Sequence, residues 1–280
     1  MSTNPSIAFF GTPDLAVPVL NGLKARDFVP SLIITQPDKP KGRKLILTPP
    51  PVKVWADEHS IETLQPTKLD DAFMEAIQGR TFDLFIVAAY GLIIPQRVLD
   101  LPQCGTLNVH PSLLPKYRGA SPVQGQILAD DRACGITIME MDAGMDHGPI
   151  VAQAEVTTET WPLKATDLHA LLWPKGAELL ADCIPPYCEG SLVPIPQAHE
   201  EATFTTKFKK EDGKLDLAHD DPYQMYLKYC AFDSWPGVYF FEEIDGKQVR
   251  VKITDAEFAE DTFRINRVIP EGKSEQKYTS

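Results

Sequence analysis

Ser6-Ile7-Ala8-Phe9-Phe10-Gly11 is an apolar run of the length of a buried strand, and the period then changes: Leu15, Val19, Leu20 and Leu23 recur at helical spacing within residues 14–25. Residues 29–35, 84–89 and 106–109 are further apolar runs. Helical signals resume near Val52, and residues 70–78 carry a helical pattern. Strands alternating with helices predict an α/β fold, a parallel, doubly wound sheet. Residues 36–51 hold a cluster of prolines and read as a long exposed loop. Residues 133–141 and 150–156 are consecutive strand candidates joined by a glycine-bearing turn over 142–149.

Residues 165–187 support a long helix in which Pro174 is expected to kink or interrupt the pattern and Pro185-Pro186 to end it. Residues 193–203 contain two prolines and little periodicity. The chain is therefore expected to divide into a larger domain over residues 1–192, a linker over 193–206 and a smaller unit over 207–280. In that unit residues 222–230 can be helical, and residues 238–241, 249–253 and 263–268 resemble strands.

Composition narrows the function classes. The 280 residues carry 27 basic and 39 acidic side chains, a net charge of −12, which argues against broad binding to polyphosphates unless positive charge is gathered locally. Lys39, Lys41, Arg43 and Lys44 gather it. The longest apolar stretch, residues 84–95, is broken at Tyr90-Gly91 and falls short of the ~20 residues that span a bilayer, so no membrane partner is expected. No secretory signal is visible at the N-terminus, and the 5 cysteines form no close pair; both fit a cytoplasmic protein with reduced thiols.

In doubly wound sheets ligands bind beyond the C-terminal strand ends, here Gly11-Thr12-Pro13, Ala89-Tyr90-Gly91 and the segment after Val109. The first of these lacks a GxGxxG arrangement, and no GxxxxGK[ST] exists, so a dinucleotide or ATP site is not supported. Strand alternation sends Asn108 and His110 to the same side. An amide can donate to an oxygen that gains charge, and an imidazole can exchange a proton near neutral pH. Asp146 supplies a carboxylate if its turn folds over the same strand end. Taken singly, the histidine is as often structural and the aspartate ordinary turn chemistry. With no GxSxG, direct transfer is preferred to a seryl intermediate, and no HExxH or cysteine-rich spacing supports a metal.

Several segments together resemble one family. Phe10 to Asp14, Thr35 to Arg43, Asn108 to Pro122, Met141 to Pro149, Lys210 to Asp216 and Trp235-Pro236-Gly237 resemble the methionyl-tRNA formyltransferases, and the resemblance covers nearly the whole chain. It implies a Rossmann-like formyltransferase domain with a mostly parallel sheet and a small C-terminal β domain related to OB barrels. It implies 10-formyltetrahydrofolate as donor without a metal, initiator methionyl-tRNA as acceptor, and a monomer. Asn108, His110 and Asp146 match the family's catalytic motif, Ser112, Leu113, Leu114 and Pro115 its tetrahydrofolate segment, and Tyr90 and Gly91 the loop beside the pterin. Lys39, Lys41, Arg43 and Lys44 match its loop that enters the tRNA acceptor-stem region, with Arg43 the best candidate for an end contact. Residues 201–280 hold more acidic than basic side chains and three clear strand candidates, so an incomplete barrel is expected. A formyltransferase acting on an amino sugar or another small amine is the alternative.

Overall fold

The computed structural model describes residues 4–42, 44–244 and 246–279. In chain order the elements are β1 (Ile7–Gly11), α1 (Val17–Ala25), β2 (Leu32–Ile34), β3 (Lys39–Lys41), β4 (Ile46–Thr48), α2 (Pro51–Glu58), β5 (Thr63–Leu64), α3 (Asp71–Ala76), β6 (Leu84–Ala88), α4 (Gln96–Leu99) and β7 (Thr106–His110). There follow β8 (Arg118–Gly119), α5 (Pro122–Leu128), β9 (Gly135–Glu140), β10 (Ile150–Glu155), α6 (Ala165–Cys188), β11 (Phe204–Thr205), α7 (Pro222–Ala231), β12 (Tyr239–Ile244), β13 (Lys247–Ala259), β14 (Thr262–Pro270) and β15 (Gln276–Lys277).

Seven strands form the central sheet in the order β10-β9-β7-β6-β1-β2-β5. β1 pairs parallel with both β2 and β6, and β6 pairs parallel with β7. β9 runs antiparallel to β7 and β10 antiparallel to β9, which makes the sheet mostly parallel with an antiparallel edge. β1 and β6 are buried at every position, as strands covered on both faces must be. Ala8 and Phe10 of β1 join Phe85 and Val87 of β6 in a cluster completed by Phe73 and Val98, while Gly22 of α1 lies against Ala177 of α6. Each buried aromatic or aliphatic side chain contributes about 1.5–3 kcal/mol.

The β3/β4 hairpin and helix α6 differ from the sequence pattern. The segment 36–51, expected as loop, contains the β3/β4 hairpin, in which Lys39 pairs with Thr48 and Lys41 with Ile46. Helix α6 continues through Pro174 and through Pro185-Pro186 to Cys188. Leu172, Trp173, Ala177, Leu180 and Ile184 are buried around Pro174, and together they outweigh the ~3 kcal/mol that one internal proline costs. The helix ends where Gly190 takes a positive φ of 74° and the N–H groups of residues 189–192 return to the carbonyls of Pro185, Pro186 and Tyr187.

The chain forms two compact units: Met1–Arg118, Gly135–Val156 and Leu171–Thr203 make up the first, and Gly119–Cys134, Thr157–Ala170 and Phe204–Ser280 the second. In the second, β12, β13, β14 and β15 form an antiparallel sheet, a small β domain with one strand more than the sequence pattern shows. The added strand, β15, is two residues long and carries no alternation. Helix α7 packs on β13 and β14, with Tyr226 stacked on Phe258 at 5.8 Å and Tyr229 against Phe263 at 6.3 Å.

Candidate active site

β7 lies between the parallel strand β6 and the antiparallel strand β9, so Asn108 sits opposite Val87 on one side and Met139 on the other, and His110 opposite Thr137. Asn108 is half-buried, and among the described residues its carboxamide makes no hydrogen bond. His110 is 4% exposed at the last position of the strand. Its Nε2 lies 3.1 Å from the Tyr117 carbonyl oxygen, which can only accept, so the ring donates there. Nδ1 is left facing Asp146 Oδ1 at 3.6 Å, longer than a hydrogen bond and within ion-pair range.

Asp146 is brought to this place by the turn between β9 and β10. The turn starts as a side-chain-to-backbone loop: Asp142 Oδ1 accepts from the Gly144 N–H at 2.9 Å, while Asp142 Oδ2 accepts from His147 Nδ1 at 2.6 Å. It closes at Gly148, where any side chain would place its Cβ 2.0 Å from the Glu140 carbonyl oxygen. Asp146 itself has a φ of 47°, the left-handed region that aspartate tolerates better than most residues. Gln197 then holds the turn from outside, donating from Nε2 to the carbonyls of Asp146 at 3.0 Å and Gly148 at 2.6 Å.

The segment after β7 is fixed by a second set of bonds. Thr137 Oγ1 donates to the Ser112 carbonyl at 2.6 Å and accepts from the Leu114 N–H at 3.1 Å and Gln153 Nε2 at 2.9 Å. Ser112 Oγ donates to the Lys116 carbonyl at 2.7 Å. Ser112 and Leu114 are buried, whereas Leu113 and Pro115 are half-buried and retain exposed surface at the strand end.

Tyr90 and Gly91 follow β6. The Tyr90 ring is 2% exposed and sits edge-on to Phe10 at 5.4 Å, so the core takes the ring and the loop presents its backbone. Burial pushes the phenol up to about 12, and its hydroxyl has no partner among the described residues. The Tyr90 carbonyl accepts from Thr12 Oγ1 at 2.9 Å and Gln36 Nε2 at 2.8 Å, tying three strand-end loops together. Gly91 has a φ of 82°, and a Cβ there would meet Gln36 Nε2 at 2.8 Å. Lys39 Nζ donates to Gln36 Oε1 at 2.6 Å, which anchors the base of the β3/β4 hairpin to the same loops. Lys41 and Lys44 are exposed on that hairpin; Arg43 lies outside the described residues.

The structure thus brings His110 and Asp146 face to face, puts Asn108 on the same strand, and sets the Ser112–Pro115 and Tyr90-Gly91 segments at neighbouring strand ends. Sequence reasoning did not single out Tyr117, Thr137, Gln153, Arg118 or Gln197, because what they supply is a backbone carbonyl or side-chain bonds to groups distant in sequence. Among the described residues no group of three His, Cys, Asp or Glu side chains could hold a metal ion, and no helix is long and apolar enough to cross a membrane.

The sequence pattern of the formyl transferase family matches residues 6–170, which include Asn108, His110 and Asp146, so the class is that of the formyl transferases. A methionyl-tRNA formyltransferase of Chloroflexus aggregans is 44% identical over 241 residues, covering 84% of this chain and 76% of its own. Another, from Thermus thermophilus, is 42% identical over 271 residues, covering 95% of this chain and 85% of its own. The chain belongs to the methionyl-tRNA formyltransferase family. Its fold is shared with HypX from Aquifex aeolicus, solved in complex with tetrahydrofolic acid, at a TM-score of 0.64 and 18% identity over 98% of this chain and 46% of that one.

Proposed function

We propose that this enzyme transfers the formyl group of 10-formyltetrahydrofolate to the free α-amine of initiator methionyl-tRNA by direct attack. The observation that carries the reading is the His110 Nδ1 to Asp146 Oδ1 contact of 3.6 Å at the C-terminal end of β7, beside an Asn108 carboxamide left free to donate. The amine nitrogen bonds to the formyl carbon, and the carbonyl electron pair moves to oxygen. Asn108 donates an N–H to that oxyanion, and protonated His110 donates from Nδ1. Because Nε2 is committed to the Tyr117 carbonyl, Nδ1 is the nitrogen that exchanges a proton, and Asp146 holds the imidazolium in place. Collapse of the intermediate breaks the bond to the folate nitrogen. One proton leaves the attacking nitrogen and one is gained by the departing nitrogen, so the site returns to its starting state.

Leu113 and Pro115 offer the donor a partly exposed apolar surface in the segment after β7, and Tyr90-Gly91 follows the neighbouring strand β6. The family relationship and the tetrahydrofolate complex of HypX support a folate donor. The acceptor reading rests on the Chloroflexus and Thermus relatives and on the exposed Lys39, Lys41 and Lys44 of the hairpin, to which Arg43 adds a fourth positive charge. These charges can neutralise phosphates locally although the chain as a whole is acidic.

An acceptor panel tests this directly. 10-Formyltetrahydrofolate is supplied with charged initiator tRNA, charged elongator methionyl-tRNA and amino sugars, and formyl incorporation into each is measured. Formyl is expected on initiator methionyl-tRNA and not on the sugars. Transfer to an amino sugar with none to methionyl-tRNA, or formate release without an acceptor, contradicts the reading.

A further inference from the structure

The turn that carries Asp146 hangs on a side chain 51 residues downstream. Gln197, 5% exposed, uses all its hydrogen-bonding capacity: both Nε2 hydrogens go to the carbonyls of Asp146 and Gly148, and Oε1 accepts from Arg118 Nε at 3.1 Å and Nη2 at 2.6 Å. Arg118 is 3% exposed, and its Nη2 also reaches His199 Nδ1 at 2.9 Å. A guanidinium has no acceptor, so His199 must offer a lone pair there. The His199 ring in turn stacks on His147 at 4.1 Å with 6° between the planes, and His147 donates to Asp142 at the start of the turn. Arg118 closes the segment that begins at His110, eight residues earlier on the chain. One amide therefore joins the strand-end segment after β7 to the Asp146 turn, the two pieces whose separation sets the His110–Asp146 distance.

We propose that Gln197 is a positioning residue for formyl transfer: its amide, oriented by Arg118, fixes the Asp146 carboxylate against His110 Nδ1. The proposal rests on the assignment of His110 and Asp146 to the reaction. It makes residues 193–203, whose sequence reads only as linker, part of the machinery. A glutamate at 197 would still give Arg118 its acceptor, and a stronger one, but would set carboxylate oxygens against two carbonyls that need donors. Arg118 accommodation and turn positioning therefore separate in that one variant.

The experiment measures kcat, KM for 10-formyltetrahydrofolate, KM for initiator methionyl-tRNA and Tm for the full chain with Gln197→Ala, Gln197→Glu, Asp146→Asn and the double variant Gln197→Ala/Asp146→Asn. It also records the His110 ring 15N resonances of each. Gln197→Ala and Gln197→Glu are both expected to lower kcat by roughly 10²-fold, the size of effect seen when a group supporting a reactive side chain is lost, with both KM values within about threefold of wild type. In the Asp146→Asn background, Gln197→Ala is expected to add less than about a threefold further loss, since residues acting as one unit are not additive. The His110 resonances of Gln197→Ala should move in the same direction as those of Asp146→Asn. Recovery of wild-type kcat in Gln197→Glu, a full 10²-fold further loss in the double variant, or unmoved His110 resonances would each overturn the positioning role. Wild-type activity in Asp146→Asn would instead remove the reading on which it rests.

Discussion

One hydroxyl, Thr137 Oγ1, closes three hydrogen bonds around the segment that follows β7, donating once and accepting twice. It is fully buried, as are Ser112 and Leu114, so neither of these two partners can turn to water if it is lost, whereas the exposed Gln153 can. Thr137→Val keeps the shape of the side chain and leaves the buried Ser112 carbonyl and Leu114 N–H unsatisfied. At ~1–3 kcal/mol for each buried orphan, unfolding free energy in urea should fall by at least ~2 kcal/mol. A change below ~0.5 kcal/mol would contradict this description of the segment. Thr137 could not be picked out from the sequence, where it is one of several threonines in apolar strands. Its importance comes from lying opposite His110 in register, and register is set by pairing between distant strands. Asn108 and His110 were legible because they share one face of a single short strand. Asp146 was legible only by its glycine-bounded turn and the family resemblance, since its approach to His110 depends on Gln197.

At the scale of elements, the β3/β4 hairpin carries the most specific expectation. Lys39, Lys41 and Lys44 are exposed there, beside the exposed Leu45, Ile46 and Leu47. If the hairpin holds tRNA phosphates, Lys41→Glu and Arg43→Ala should each raise KM for methionyl-tRNA by about tenfold while leaving KM for the folate donor unchanged. Each should also lower the salt slope of tRNA binding by about 0.9. Unchanged acceptor kinetics and an unchanged salt slope would remove the hairpin from the tRNA interface. The buried parallel strands were readable as continuous apolar runs because helices cover both faces of the sheet. The hairpin was not, because its strands are exposed, short and proline-bearing, with no alternation to signal pairing. α6 defeated the proline rule for the opposite reason: the apolar face on either side of Pro174 is buried deeply enough to keep the helix whole.

At the scale of the whole molecule, proton linkage predicts where stability is lost. Burial pushes the thiols of Cys134, Cys183 and Cys230 up from 9.0 to about 11, and the phenols of Tyr90 and Tyr226 up from 10.0 to about 12. The folded state keeps these protons where the unfolded chain releases them, so stability is complete below about pH 9 and falls as pH rises toward 11. Tm at pH 10.5 should lie below Tm at pH 8 by on the order of 5 °C, and an equal Tm would contradict it. The central claim, that an amide, an imidazole and a carboxylate act together on one formyl carbon, is tested most directly by single-turnover formyl transfer to initiator methionyl-tRNA. Asn108→Ala, His110→Ala and Asp146→Ala are compared with wild type, with circular dichroism recorded on each. The account predicts native spectra and transfer slowed by at least ~10²-fold in all three; a wild-type rate in any one of them would contradict it.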